Sequence, residues 1–307
     1  MKILHSLPEV PFLEPTVIAL GNFDGVHRGH QVLIARTVEK AKGLGGKSVV
    51  MTFNPHPLKL LKPEESPGLL ITQERKEAKI AQLGADLLLL LPFTYDFAAL
   101  TPDEFVRRVY ATLNPAAIVV GFNYTYGSQG RGDTRTLAAA GEKLGFAVEV
   151  IPPQREGKEL ISSTKIRQAL AEGNVGKAKK FLGYWPLLEG TVVAGDRRGR
   201  KLGFPTANVQ ISQEIMLPRL GVYAAKCLVD NVSYSAVVNI GFKPTFAEEK
   251  IPVVEAHLLD FRGDLYDCRL EVHLLQYLRP EKKFPQVEKL MEQIRKDILI
   301  ARSLGSM

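Results

Sequence analysis

The sequence predicts two domains of different class. The first is a doubly wound α/β domain with a parallel sheet, and the second an antiparallel β-barrel or sandwich followed by a helix. Three observations predict this. From Thr16 to about Ile151, short apolar runs alternate with amphipathic stretches. Beyond Gly183-Tyr184-Trp185-Pro186 the texture changes to short strands at close spacing, punctuated by Gly and Pro. The length, 307 residues, suffices for two domains of ordinary size.

In the first domain the strand-like runs are Thr16–Leu20, Lys47–Phe53, Asp86–Leu91, Ala116–Phe122 and Phe146–Ile151. Several are apolar on both faces, as strands buried between helices are. Between them the spacing predicts helices over His30–Lys42, Gln73–Leu83, Pro102–Leu113 and Thr134–Leu144. Two more helix-like stretches follow, Ser163–Ala171 and Val175–Leu182. The strands of the second domain are Leu187–Ala194, Ala207–Ile211, Val222–Val229, Tyr234–Ile240, Val253–Leu259 and Arg269–Leu275, and a last helix runs from Pro285 to about Ala301. The boundary falls near residue 184, giving domains 1–184 and 185–307.

Composition narrows the class. Apolar residues make up 45% and charged residues 24%, so the chain is neither disordered nor fibrous. The longest apolar run, around Leu87 to Leu91, is of core-strand length and far short of a bilayer span. The N-terminus has no small-residue cleavage pattern. Two cysteines, Cys227 and Cys268, form no CxxC pair and sit in apolar strands, which points to reduced thiols in a cytoplasmic protein. The net charge of +7 is spread along both domains without a basic tail, and suits an anionic ligand as well as nucleic acid. A basic helix or an aromatic-rich basic sheet motif is lacking, so no nucleic-acid partner is expected.

Chemistry concentrates in two places. The first strand ends at Gly21-Asn22-Phe23-Asp24-Gly25-Val26-His27-Arg28-Gly29-His30, and a helix follows. Two histidines three apart share a side of a helix's first turn, where free N–H groups favour an anion. Glycine lets a ligand approach the backbone, and imidazoles can donate to phosphate oxygens. The site suits a triphosphate attacked at its α-phosphorus. The same residues also fit a glycine-rich turn capped by a histidine, or a two-histidine metal site whose third ligand could come only from Asp24. Later, Ser162-Ser163-Thr164 with Arg167 one turn on has the makings of a phosphate clamp, or of an ordinary N-cap.

The second place runs from Ala194-Gly195 through Arg200 and Gly203 to Phe204-Pro205-Thr206-Ala207-Asn208. It is unlike a P-loop, having no GKS/T and no following helix. It fits a solvated basic hairpin, yet four cations lie among three glycines. Thr206 and Asn208, two apart on a strand, point to one face. A hydroxyl and an amide oxygen there can hold Mg²⁺ beside a phosphate chain that the loop covers.

Gly21 to His30 resembles the GxFDGxHxGH signature of the HxGH nucleotidyltransferases. With Asn54-Pro55-His56-Pro57, Val120 to Gly127 and Ile161 to Arg167, the domain looks like the FMN adenylyltransferase module of bacterial FAD synthetases. Gly-x-x-Leu-Gly-Phe-Pro-Thr-Ala-Asn resembles the riboflavin kinase signature. Gly221 to Ala224, Asn239-Ile240-Gly241 with Pro244-Thr245-Phe246, Val254 to Phe261 and Arg279-Pro280-Glu281 agree in order. One departure is Asp267, where that family usually has glycine after the tyrosine. The resemblance covers nearly the whole chain, and is to the bifunctional riboflavin kinase/FMN adenylyltransferases.

The resemblance implies a Rossmann-like first domain that joins FMN to the AMP of ATP, and a barrel that phosphorylates riboflavin with MgATP. It assigns His27, His30 and Arg167 to charge stabilisation on the phosphates, and Glu255 to taking the proton of the ribityl 5′-hydroxyl. ATP would be bound by Gly21, Asn22, Phe23, Asp24, Asn123, Ser163 and Thr164 in the first domain, and by Gly195, Arg200 and Gly203 in the second. Thr206 and Asn208 would hold Mg²⁺. Riboflavin, FMN and FAD are then substrates and products, in largely apolar pockets. Without the resemblance Glu255 reads as an edge-strand carboxylate facing water. His257, His5 and His273 read as structural or solvated, and His56 as a turn residue near the first site. No membrane partner is implied, and the chain is expected to be a monomer or weak homo-oligomer. Rival readings are another nucleotidyltransferase of this fold, or a flavin- or nucleotide-binding protein with one inactive site.

Overall fold

A computed structural model describes residues 1–195, 202–244 and 250–305. Arg200 with the rest of Asp196 to Lys201, and Thr245 with Phe246, lie outside the described residues. The chain divides into two units. One holds residues 1–67 and 73–161, and the other 68–72 and 162–307.

The first unit is built on six parallel strands: β1 (Lys2–Leu4), β2 (Thr16–Leu20), β3 (Lys47–Asn54), β4 (Leu87–Pro92), β5 (Pro115–Gly121) and β6 (Ala147–Ile151). Their order in the sheet is β1-β4-β3-β2-β5-β6. The helices are α1 (Arg28–Gly43), α2 (Pro57–Leu61), α3 (Gln73–Gln82), α4 (Tyr95–Ala99), α5 (Pro102–Leu113) and α6 (Thr134–Leu144). Alternation sorts the strand side chains onto two faces. Ile18, Leu20, Val49, Met51, Ile118 and Val120 pack with Phe105, Val109 and Leu113 of α5 and Leu137 of α6. Their alternates Val17, Ala19 and Val50 are just as buried, and α1 packs across β2, β3 and β5. This is the two-sided burial that the continuous apolar runs imply.

The order reverses between β2 and β5: from β2 the chain steps outward through β3 and β4, then returns to the other side of β2. Ligands of such sheets bind beyond the carboxyl ends of the strands at this switch point. β1 pairs with β4 over only three residues, too few to give a readable period. A two-stranded ribbon, β7 (Arg155–Glu156) with β8 (Glu159–Leu160), was also not expected.

The second unit is a closed antiparallel barrel in the order β10-β13-β12-β11-β14-β9. Its strands are β9 (Leu187–Val193), β10 (Ala207–Ile211), β11 (Gly221–Val229), β12 (Val232–Pro244), β13 (Lys250–Leu258) and β14 (Arg269–Arg279). Val209, Val238, Ile240, Val254, Ala256, Val272 and Leu274 fill its core. Strands β12 and β14 run further than their apolar patterns suggest, because ladder pairing carries them on. Closure leaves no edge, so β13 is paired on both sides, by β10 and β12.

Two helices join this unit, α7 (Ser163–Ala171) and α8 (Val175–Leu182), since Val175 lies in the barrel core. The segment 68–72 does so too: Leu69 exchanges backbone hydrogen bonds with Glu214 and Met216. The terminal helix α9 (Val287–Gly305) covers part of the outer wall through Ile298, Ala301 and Leu304 on Val222, Ala224 and Val237. Asp297, 2% exposed, accepts from both Nε and Nη2 of Arg279, at 3.0 and 2.8 Å, and pins that helix to the end of β14.

Candidate active sites

The first site begins where β2 stops. Phe23 turns the chain with a left-handed φ of 51° and buries its ring completely. A Cβ on Gly21 would come within 3.1 Å of that ring. A short turn, Asp24–Val26, follows, in which even the β-branched Val26 has φ 35°. Such strain persists only where the surroundings over-determine it. Thr52 holds the turn from the next strand, its hydroxyl donating to the Asn22 carbonyl at 3.0 Å.

His27 is the N-cap of α1, and its Nδ1 accepts from the backbone N–H of His30 at 3.3 Å. The two imidazoles stack with centroids 3.6 Å apart, and Phe23 meets His30 edge-on at 5.3 Å. A Cβ on Gly29 would lie 3.1 Å from the His27 ring, so the glycine between the histidines makes room for the stack. Burial lowers the His27 pKa to about 4, so the ring is neutral at pH 7. With Nδ1 accepting, the ring proton sits on Nε2, and the free edge is a donor. His30 is pushed well below its ordinary value by burial, then by His27 and Lys76. Its Nδ1 is shielded from solvent and has no hydrogen-bond partner among the described residues.

Sequence reasoning missed Lys76. It lies on α3, which packs on the Asp24–Val26 turn, and is only 5% exposed. Burial lowers its pKa, while the charges of Asp24 and then Glu77 raise it. Asp24 is itself 3% exposed. The available signal was a lysine four residues before Ile80, on the buried stripe of an amphipathic helix. A buried ammonium, neutral imidazole donors and the N-terminal end of a helix make a cradle for a polyanion.

Gly121 and Asn123 lie at the end of β5, beside the end of β2. Asn123 is exposed in a tight turn, followed by Tyr124 stacked on Tyr126 at 5.8 Å. His56 caps α2, its Nδ1 accepting from Leu58 N at 3.2 Å. Ser163, Thr164 and Arg167 belong to the second unit. The N-cap of α7 is Ser162, whose hydroxyl accepts from Lys165 N at 3.3 Å, and Ser163 and Thr164 fill the first turn. Arg167 directs its Nε to the Gly68 carbonyl at 2.9 Å.

The second site is set by strand register. Asn208 of β10 pairs with Glu255 of β13, and Glu255 pairs with Asn239 of β12. Their neighbours Val209, Val254, Ala256, Val238 and Ile240 point into the core, so the three polar side chains form one row on the outer wall. A Cβ on Gly195 would collide with the Asn208 amide, which therefore lies over bare backbone. Thr206 stands exposed just before β10 rather than on it. His257 takes a structural part: its Nδ1 meets the Pro205 carbonyl at 2.7 Å, and its ring meets Phe204 edge-on, which anchors the loop before Thr206. Gly203 has φ +84°, a turn that favours glycine. The edge-strand reading of Glu255 does not hold, since the barrel has no edge there.

Comparison with known proteins bears on both units. A family model described as FAD synthetase matches residues 10–165, and one described as riboflavin kinase matches residues 182–304. The bifunctional riboflavin kinase/FMN adenylyltransferase of Bacillus subtilis (strain 168) is 40% identical over 286 residues, 92% of this chain and 90% of the relative. That of Pseudomonas fluorescens is 39% identical over 304 residues, 99% of this chain and 96% of the relative. A crystal structure from Streptococcus pneumoniae, described as a macrolide-efflux protein, is similar with TM-score 0.87 and 32% identity, covering 98% of both chains. In the present chain no helix among the described residues is long and apolar enough to cross a membrane.

Proposed function

The chain belongs to the bifunctional riboflavin kinase/FMN adenylyltransferase family, and from that premise we propose how its residues divide the work. It phosphorylates riboflavin with ATP to give FMN, and joins FMN to the AMP of a second ATP to give FAD and pyrophosphate.

Adenylylation falls to the site at the end of β2. The FMN phosphate oxygen attacks the α-phosphorus of ATP directly. His27 and His30 donate to the phosphate oxygens as neutral imidazoles, and Lys76 adds positive charge. Gly21, Asn22, Phe23, Asp24 and Asn123 position the substrates; the family resemblance also assigns Ser163, Thr164 and Arg167, which group with the second unit, to this reaction. No covalent intermediate on the chain is needed.

Phosphorylation falls to the row on the barrel wall. Glu255 takes the proton of the attacking riboflavin hydroxyl, as phosphoryl transfer requires of a positioned base. Gly195 and Gly203 are assigned to the nucleotide phosphates, as is Arg200, which lies outside the described residues. The Thr206 hydroxyl and the Asn208 amide oxygen are hard donors of the type Mg²⁺ takes, and the Asn208 amide is placed by lying over the bare backbone of Gly195. Bound with the nucleotide, Mg²⁺ neutralises phosphate charge. The functional boundary is proposed near residue 184, although α7 and α8 cluster with the barrel. The free thiols Cys227 and Cys268 support a reducing, cytoplasmic setting. The same reading has small-molecule substrates only, with neither nucleic acid nor membrane as partner, and a monomer or weak homo-oligomer.

One observation carries the division: the paired histidines and the Asn208–Glu255 pair sit in separate units. Flavins separated by chromatography after incubation with ATP and Mg²⁺ test it. Glu255→Ala is expected to abolish FMN formation and keep FAD formation from supplied FMN, and His30→Ala to do the reverse. Loss of both activities from either change would end the modular account.

A further inference from the structure

The kinase signature contains Asn239, Gly241 and Glu281, to which nothing above gives a role, and the structure joins them. Asn239 Nδ2 donates to Glu281 Oε1 at 2.9 Å. A carboxylate only accepts, so this bond fixes which end of the amide faces Glu281. Asn239 Oδ1 is therefore turned away from it, shielded from solvent and without a hydrogen-bond partner among the described residues. Gly241, two residues on, shares the outer face of β12 with Asn239. A Cβ there would come within 2.5 Å of Glu281 Oε1, so the carboxylate crosses bare backbone to reach Asn239. Glu281 follows Arg279, whose guanidinium is held by the buried Asp297, so its starting point is fixed as well.

The order of strands says what the free oxygen faces. Along the outer wall the row runs Asn208, Glu255, Asn239, over β10, β13 and β12. Neighbouring strands are about 4.8 Å apart, so the two amides flank Glu255 at roughly equal distances. On the reading that Thr206 and Asn208 hold the metal-bound phosphates and Glu255 is the base, the γ-phosphate lies on the β10 side of the nucleophile. The rest of the acceptor molecule must then extend to the β12 side. That part is the polyhydroxyl chain of riboflavin, a row of O–H donors. A buried acceptor without a donor is destabilising, and a hydroxyl arriving with the substrate removes that cost.

We propose that Asn239 Oδ1 accepts a hydrogen bond from a ribityl hydroxyl of riboflavin, and that Glu281, lying over Gly241, is the positioning residue that orients it. Asn239 thereby contributes to selecting a hydroxylated acceptor, and acts on riboflavin rather than on ATP or the metal.

Steady-state kinetics of FMN formation test this, with kcat at saturating riboflavin as the measure of folded barrel. One neutral hydrogen bond corresponds to about a tenfold change. Asn239→Ala is expected to raise the riboflavin KM about tenfold, leaving the ATP KM and the Mg²⁺ activation curve at parental values. Glu281→Ala should do the same, and the double variant should be no worse than Asn239→Ala alone. Glu281→Gln, whose amide oxygen still accepts from Nδ2, should retain most of the affinity. Independent, additive costs in the double variant, or a shift in the ATP or Mg²⁺ dependence in place of riboflavin's, would overturn the proposal. If the alanine variants fail to fold, riboflavin binding to Asn239→Ser, followed by flavin fluorescence, decides: about tenfold weaker binding supports it and unchanged binding refutes it. Glu255→Gln separates the premise from the inference. Full kcat in that variant removes the assigned base, whereas the Asn239 and Glu281 results speak only to the orientation of the acceptor.

Discussion

The two units build their candidate sites by opposite means. In the α/β unit the site is local in sequence: ten residues from Gly21 to His30 supply the turn, the cap and both imidazoles, and burial keeps the rings neutral. In the barrel the site is assembled across strands. Asn208, Glu255 and Asn239 are far apart in the chain and meet because antiparallel register aligns them on the outer wall. A local motif depends on burial and on a strained turn, and a register-built site on ladder pairing and on glycines that let one side chain lie over another's backbone. The two should therefore fail differently.

Glycine substitutions give the largest expected contrast. In Gly195→Ala the new Cβ would overlap the Asn208 amide, which must leave its place. A displacement of about 1 Å at such a group costs about 100-fold, so kinase turnover should fall by about that factor with FAD formation intact. In Gly29→Ala the contact to the His27 ring is 3.1 Å, which a few tenths of an ångström relieves. FAD formation should then fall only several-fold. Equal losses in the two assays would show that the sites do not differ in this way.

Next in size is Lys76→Met, which keeps the side-chain volume and removes the buried charge beside Asp24. FAD formation should drop by about 10- to 100-fold, on the scale of a lost charge-assisted contact of about 1.5–3 kcal/mol. Because Lys76 lowers the His30 pKa, its removal should also move the acid limb of the pH–rate profile upward. An unchanged limb would mean that Lys76 serves packing alone.

The smallest effect is on stability. Both histidines have folded-state values below 6.5, and His27 titrates at about 4. Between these values the unfolded chain binds more protons than the folded one. The stabilisation is therefore full above pH 6.5 and is lost as pH falls toward 4. Melting followed from pH 7 to 4 should show this loss for the α/β unit, and His30→Phe should flatten it. A parental slope in that variant would place the titration elsewhere.

Much of the fold was legible because burial patterns are local. Helices α5, α6, α7 and α8 run over the residues their spacing predicted. Strands of the parallel sheet declared themselves by being apolar on both faces. The segments that escaped notice were too short for a period: Lys2–Leu4 and the ribbon Arg155–Glu156 with Glu159–Leu160. Lys76 escaped because a lysine on a helix stripe reads as solvated until a partner such as Asp24 is found from another part of the chain.

By itself the sequence determined the two fold classes, the histidine turn and the order of the signature segments, since each depends on residues within one element or one loop. The structure decided what those segments touch. It grouped α7, α8 and residues 68–72 with the barrel, set Lys76 into the wall of the first site, and aligned Asn208, Glu255 and Asn239 in one row. The reason is physical: propensity and patterning act over a few residues, whereas register, burial of charge and the room left by a missing Cβ arise only when distant segments pack.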